Sequence, residues 1–225
     1  MRASALLASA VITGVLATPV SSRAAVGCTL NDPDRDIMRV FPKAEAYITD
    51  FIAIDERGGD SLAALIEADL GDTLDPTFES LDVPYAFYTV TSGGSVIGRL
   101  HGVNQKGTFG GMQLILATDP EGTIVDFYYQ KLSSPEAGAF RSDAFTNQFD
   151  GLELEDFLAG DEGDAGLSGT DERGRVEAIK DPSESSADDF AATLRGIRKN
   201  LLLLREFMLR SAEDSDNKED TSEND

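Results

Sequence analysis

The chain has 225 residues, enough for one sizeable core with appendages. It sets 19 Lys and Arg against 41 Asp and Glu, a formal net charge of −22, and so acidic a surface repels phosphate backbones and anionic headgroups. One Cys and one His exclude an internal disulfide framework, a Cys-rich zinc or iron–sulfur site and a multi-histidine metal centre.

Residues 1–24 read as an export signal. Arg2 supplies a small positive start, Ala3 to Val20 is apolar, and Ser22-Arg23-Ala24 offers small residues for cleavage. The run is about long enough to span a membrane, but it is rich in Ala, Ser, Thr and Gly rather than Leu and Ile. The expected location is the periplasm or the outer face of a membrane. Ala25-Val26-Gly27-Cys28 resembles a bacterial lipobox, with Ala25 where Leu is usual and Arg23 interrupting the apolar approach. Cys28 is therefore a lipidation candidate, and the alternative is a free thiol near a frayed terminus.

Asn31-Asp32-Pro33-Asp34-Arg35-Asp36 reads as a turn feeding a short helix with Ile37, Val40 and Phe41 on one side. The Asp spacing hints at a calcium loop, but Ile37 stands where Gly is needed and Lys43 where the bidentate Glu is needed. Loop and cap acids are the better account. Tyr47 to Ile54 alternates as a strand, and Ser61 to Leu70 reads as a helix ended by Gly71. Tyr85 to Thr91, Val96 to Gly102, Met112 to Thr118 and Thr123 to Lys131 read as strands separated by Gly-bearing turns. Asp119-Pro120-Glu121-Gly122 fits a type I turn, so the last two strands form a hairpin. Asp143 to Phe149 and Leu152 to Phe157 look like short helices, and Gly160 to Arg175 like a polar loop. Ser186-Ala187-Asp188-Asp189 opens the clearest helix. Phe190, Leu194, Ile197, Leu201, Leu204 and Met208 form its apolar stripe, with Arg205 and Arg210 in the last turn. Ser211 to Asp225 is acidic and has the composition of a disordered tail.

Hydrolytic chemistry finds little support. There is no Gly-x-Ser-x-Gly elbow, no Walker-type loop and no Gly-x-Gly-x-x-Gly, and His101 is the sole imidazole. A His on or just after a strand is ordinarily a satisfied structural residue. The acidity itself also has a bland origin, since excess surface acid aids solubility at high salt.

Three segments carry more information in their order. Gly107-Thr108-Phe109-Gly110-Gly111-Met112-Gln113-Leu114 leads into the hairpin. Ser133-Ser134-Pro135-Glu136-Ala137-Gly138 and Phe145-Thr146-Asn147-Gln148-Phe149-Asp150-Gly151 follow it. Val176-Glu177-Ala178-Ile179-Lys180-Asp181-Pro182-Ser183-Glu184-Ser185-Ser186 then precedes the long helix. From roughly Tyr85 to Phe207 this order resembles the FMN-binding domain of the flavin subunits of the Rnf complex and of Na⁺-translocating NADH:quinone reductase. The resemblance implies an FMN site built from Phe109, Gly110, Gly111, Ser133, Ser134, Pro135, Gly138, Lys180, Ser183 and Ser185. It implies Ser183 as the family's phosphoester acceptor, and redox partner proteins at the membrane. The chain departs from the family at named positions. Ser133 stands where Glu is usual, Ala137 where Gly is, and Glu177 where Asp is. Lys180, Asp181 and Pro182 replace Ser/Thr, Gly and Ala. Non-covalent FMN is therefore expected rather than a covalent bond.

The expected fold is α+β: an antiparallel sheet covered by helices, with a long C-terminal helix as the main lid. The expected division is a signal peptide over 1–24, an N-terminal αβ extension over 25–84, an FMN-binding-like domain over 85–210 and an acidic tail over 211–225. Three functions stay open: an exported FMN-binding electron-transfer protein, a cofactor-free accessory or scaffold protein of an extracytoplasmic membrane redox complex, and an exported hydrolase or other small-ligand binder relying on His101.

Overall fold

The structure, a computed structural model, describes residues 27–158 and 175–210. The export signal, most of the polar loop and the acidic tail lie outside them. In chain order the elements are α1 (Pro33–Val40), β1 (Ala46–Ile52), α2 (Ile54–Arg57), α3 (Gly59–Leu70), β2 (Tyr85–Ser92), β3 (Ser95–Gly107), β4 (Gly110–Thr118) and β5 (Ile124–Lys131). Three short helices follow, α4 (Ala137–Phe140), α5 (Asp143–Thr146) and α6 (Leu154–Leu158), and then the long α7 (Ala187–Leu204). The five strands form one antiparallel sheet in sequence order. The fold is α+β, as expected.

Strand alternation sends side chains to two cores, one on each face of the sheet. On one face Phe87, Val103, Leu114, Leu116, Phe127 and Tyr129 pack with Ile197, Leu201 and Phe207 and with residues of α3 to α6. On the other, Tyr88, Val90, Leu100, Ile115 and Ala117 meet Cys28, Leu30 and Ile37 from the N-terminal segment. That segment therefore roofs the second face. Its acids work as caps and tethers: Asp32 caps α1 at the Arg35 N–H, Asp34 accepts from the Tyr47 hydroxyl, and Asp36 accepts from Arg35 and Tyr128.

Cys28 is not frayed. Only 2% exposed, its thiol lies over Gly102, where a Cβ would stand 2.8 Å from the sulfur. Burial pushes the thiol up to about 12, against a small opposing pull from Lys199. A lipid on this sulfur would require Cys28 to leave that packing.

Of the expected turns, one forms and one does not. The Asp119 turn forms as expected, its carboxylate accepting from the N–H groups of Glu121, Gly122 and Thr123 at 2.8–3.1 Å. However, β3 does not end at Gly102; it continues to Gly107. Gly102 is there for close packing beneath Cys28 and Ile115, so it is no sign of a turn. The true break is Thr108-Phe109, a two-residue connection between Gly107 and Gly110, with Gly110 at φ +132°. The glycine-rich segment thus joins β3 to β4 as a second hairpin.

The stripe on α7 is also broader than its spacing predicts. Ile197, Leu201 and Leu204 are buried, but Phe190, Leu194 and Met208 are only partly so. Asp189, Thr193, Gly196, Lys199, Asn200, Leu202 and Leu203 are buried as well. α7 is covered by the sheet, by α3 and by α6, so its nominally polar side is interior too. At the crossing, a Cβ on Gly196 would stand 3.0 Å from Leu114.

Gly98 shows how tightly the second face is roofed. A Cβ there would collide with the Phe41 ring and lie 2.5 Å from the Thr118 carbonyl oxygen. Gly98→Ala should cost about 1–3 kcal/mol through overpacking, read as a lowered urea midpoint with unchanged m-value.

Candidate functional site

The segments singled out in the sequence meet around the start of α7. The Thr108-Phe109 turn projects from the sheet, and Phe109 is 57% exposed at its tip. A Cβ on Gly110 would lie 3.6 Å from the Ser133 Cβ, so the β3–β4 turn and the segment after β5 are in contact. Gly111 faces the Phe78 ring, 3.1 Å from such a Cβ. Asp189, in the first turn of α7, accepts from the Thr108 N–H at 2.8 Å. Its backbone carbonyl accepts from the Thr193 hydroxyl at 2.8 Å, so Tyr129 donates to Thr193 over 2.6 Å.

The remaining predicted residues lie on the neighbouring loops. Ser134 shapes the turn into α4, its hydroxyl accepting from the Glu136 N–H and its carbonyl from Ala137 N–H. Pro135 precedes that helix, and Gly138 lies within it beside open space. The Gln148 side-chain amide accepts from the Lys180 N–H at 2.8 Å and donates to the Lys180 carbonyl at 3.2 Å. The rings of Phe140, Phe145 and Phe190 carry this contact through to α7. Ala139, Ser142, Phe145, Gln148, Lys180 and Asp181 are among the residues around a cavity of about 230 Å³. Ser183 and Ser185 hydroxyls bond one another at 2.9 Å, while the Ser183 N–H is held by the Asp181 carboxylate at 2.8 Å.

This arrangement matches one half of FMN better than the other. Exposed Gly110 beside Phe109 suits a planar ring, whereas Gly111 is already covered by Phe78. Asp189 is fully buried, and its Oδ2 has no hydrogen-bond partner among the described residues. A phosphate fits poorly. The anion seat at the start of α7 already holds Asp188 and Asp189 in its first turn, and Asp181 takes the Ser183 N–H that a phosphate oxygen would use. Lys180, Ser183 and Ser185 are the groups left to it.

A second polar site was not visible in the sequence. Arg195 lays its guanidinium against Glu79 at 2.7 and 3.2 Å, and also bonds Asp72, Gln105 and the Thr73 carbonyl. One turn on, Lys199 reaches the same Glu79 and the Asn104 carbonyl from a fully buried position. Burial alone would raise the Glu79 carboxyl, but bonds and charge from Arg195 and Lys199 win and hold it below the usual range. Burial pulls Lys199 down to about 8, with Glu79 resisting. The cavity of about 440 Å³ beside this cluster is bounded by Asp72, Glu79, Gln105, Lys106 and Arg195. Arg195 spends its donors on the protein, so the cluster is a tether between α7 and the loop after α3. One clue lay in the sequence: Leu201 to Leu204 leave an α-helix no solvent face, so the preceding Arg195 and Lys199 must also find partners inside.

His101 is equally structural. Its ring stacks on Phe87 with centroids 4.1 Å apart, and Nδ1 donates to the Asn200 oxygen, whose amide donates back to the His101 carbonyl at 3.2 Å. Burial drives the imidazole down to about 3, with the Asn200 bond opposing and Lys199 assisting. It is neutral at physiological pH and has no water-facing path for proton transfer.

No family model matches the chain, and no curated protein matches it.

Two measurements check these sites. Glu79→Gln should cost about 3–5 kcal/mol in urea unfolding, because it leaves buried Lys199 without its carboxylate partner and takes one of two carboxylates from Arg195. For His101, the unfolded chain takes up the proton near 6.5 and the folded chain only near 3. Stability is therefore lost as pH falls through that window. Between about pH 7 and about pH 5 the wild type should lose about 2 kcal/mol more than His101→Gln, at roughly 1.4 kcal/mol per pH unit.

Proposed function

We propose that the chain is an exported flavin-binding electron-transfer protein that holds its flavin without a covalent bond. The observation that carries this reading is the meeting of the glycine turn, the Ser133 segment, the Gln148–Lys180 contact and the start of α7 around one end of the sheet. Those are the segments that the resemblance assigns to FMN. Exposed Gly110 leaves backbone bare beside the ring, and Phe109 offers it an aromatic face. Ser133, Ser134, Pro135 and Gly138 bring backbone polar groups to its edge. Lys180, Ser183 and Ser185 serve the ribityl end. A bound flavin supplies the redox chemistry, and these residues hold and orient it. The partners are then redox proteins at the outer face of a membrane, and export through residues 1–24 belongs to the same proposal.

A second reading, a cofactor-free accessory protein of such a complex, is favoured by one observation: Asp189 and Asp181 occupy N–H groups at the place where a ligand anion would sit.

Visible absorption of the purified chain, before and after incubation with FMN and desalting, separates the two. Flavin bands that survive desalting, and that acid precipitation then releases from the protein, are the expected result. A protein that stays colourless with FMN and with riboflavin would sink the flavin reading in favour of the accessory one.

A further inference from the structure

The two edges of the sheet are finished differently. At β5 the chain closes its own edge. Ile124 donates to the Leu152 carbonyl at 2.9 Å and accepts from the Gly151 N–H at 2.8 Å, and Arg141 donates to the Tyr129 carbonyl at 2.6 Å. At β1 the backbone from Ala46 to Ile52 bonds to nothing beyond β2 among the described residues. Edge strands are ordinarily blunted by Pro, Lys, a bulge or short length. β1 runs for 7 residues in unbroken register with β2 and carries no Pro or Lys, and it exposes Ile48 at 62% and Phe51 at 43%.

We propose that β1 is a dimerisation edge, on which a second copy of the chain pairs antiparallel to join the two sheets into one. The strand is self-complementary about Thr49. In that register Tyr47 lies opposite Phe51 of the second copy, and Phe51 opposite its Tyr47, on the face that Tyr47 shares with Tyr88. Aromatic pairs across strands are among those that stabilise a sheet. On the other face Ile48 stands opposite Asp50 and diagonal to the second Ile48, so the two exposed isoleucines cover one another. Pairing about Asp50 would instead set two carboxylates side by side, and pairing about Ile48 would set Phe51 against Glu45.

Charge complementarity continues past both ends of the strand. Lys43 and Arg57 are exposed and take part in no ion pair among the described residues. The antiparallel arrangement brings Lys43 and Glu45 of one copy alongside Asp55, Glu56 and Arg57 of α2 in the other, twice by symmetry. With the β5 edge closed, the pairing stops at two copies. The formal net charge of −22 opposes association, and salt screens that opposition.

Sedimentation of the purified chain over a concentration series tests this at about 0.01 M and about 1 M salt, where the screening length falls from about 30 Å to about 3 Å. A monomer–dimer equilibrium is expected, severalfold tighter at high salt. Ile48→Lys should weaken it at least tenfold at either salt, with near-ultraviolet circular dichroism unchanged. The added lysine reduces the chain's negative charge, so a purely electrostatic effect would run the other way. Thr49→Cys should give a disulfide-linked dimer on mild oxidation, since Cys28 is buried and does not compete. A chain that stays monomeric at both salts, an assembly that grows beyond two copies, or a dimer indifferent to Ile48→Lys would each overturn the proposal. If Ile48→Lys misfolds, the cross-link decides: Thr49→Cys linking no faster than Thr77→Cys, at an exposed loop position, overturns it as well.

Discussion

From Ala192 to Leu204 no residue of α7 is exposed, and most of the structure follows from that. Its four consecutive leucines point around the full helical circumference, so sheet, α3 and α6 must all pack against it. The polar residues between those leucines are then carried inside with them. Lys199, Asn200, Thr193 and Asp189 are each fully buried or nearly so, and each has an assigned partner on another element. Along one helix the chain thus writes its register against the sheet in hydrogen bonds, where apolar contacts alone would permit sliding.

The division of labour along α7 is clear. Its start touches the Thr108 turn and, through Phe190, the α4–α5 region; its middle holds the Glu79 cluster and the His101–Asn200 pair; its end salt-bridges through Arg205 to Asp69. The middle is costly to disturb, because buried charges there are compensated only by one another. The start is different. It combines an exposed aromatic tip, glycine backbone and an unsatisfied carboxylate oxygen, features that a purely structural contact has no need of.

The acidic surface bears on partners as well as ligands. With a formal net charge of −22, the chain steers toward cationic surfaces at low ionic strength and away from anionic ones. For a redox relay the complementary partner surface is basic. The same field works against any phosphorylated small molecule, and at the start of α7 the local charges act in the same direction as the global one.

Much of the fold was legible in the residues. Alternating β-branched and aromatic runs marked all five strands, Asp119 to Gly122 gave its turn, and Gly71 stopped α3 in the left-handed conformation. These are local signals, each enforced by backbone sterics or a nearby cap, so no distant contact was needed to read them. The errors have a common origin. Gly102 looked like a strand end and is a contact with Cys28; a frayed terminus was one of two readings of Cys28, which is roofed over; the expected stripe of α7 left out Lys199 and Asn200, which are buried too. The pairs Asp189–Thr108, Arg195–Glu79 and Lys199–Glu79 lie 81 to 120 residues apart in sequence. By itself the sequence determined which segments become strands and helices, because sterics and hydrophobic period act within a few residues. Only tertiary structure decided which glycines turn and which admit a neighbour, and which charges are tethers and which remain free for a ligand, because those outcomes depend on the element packed opposite.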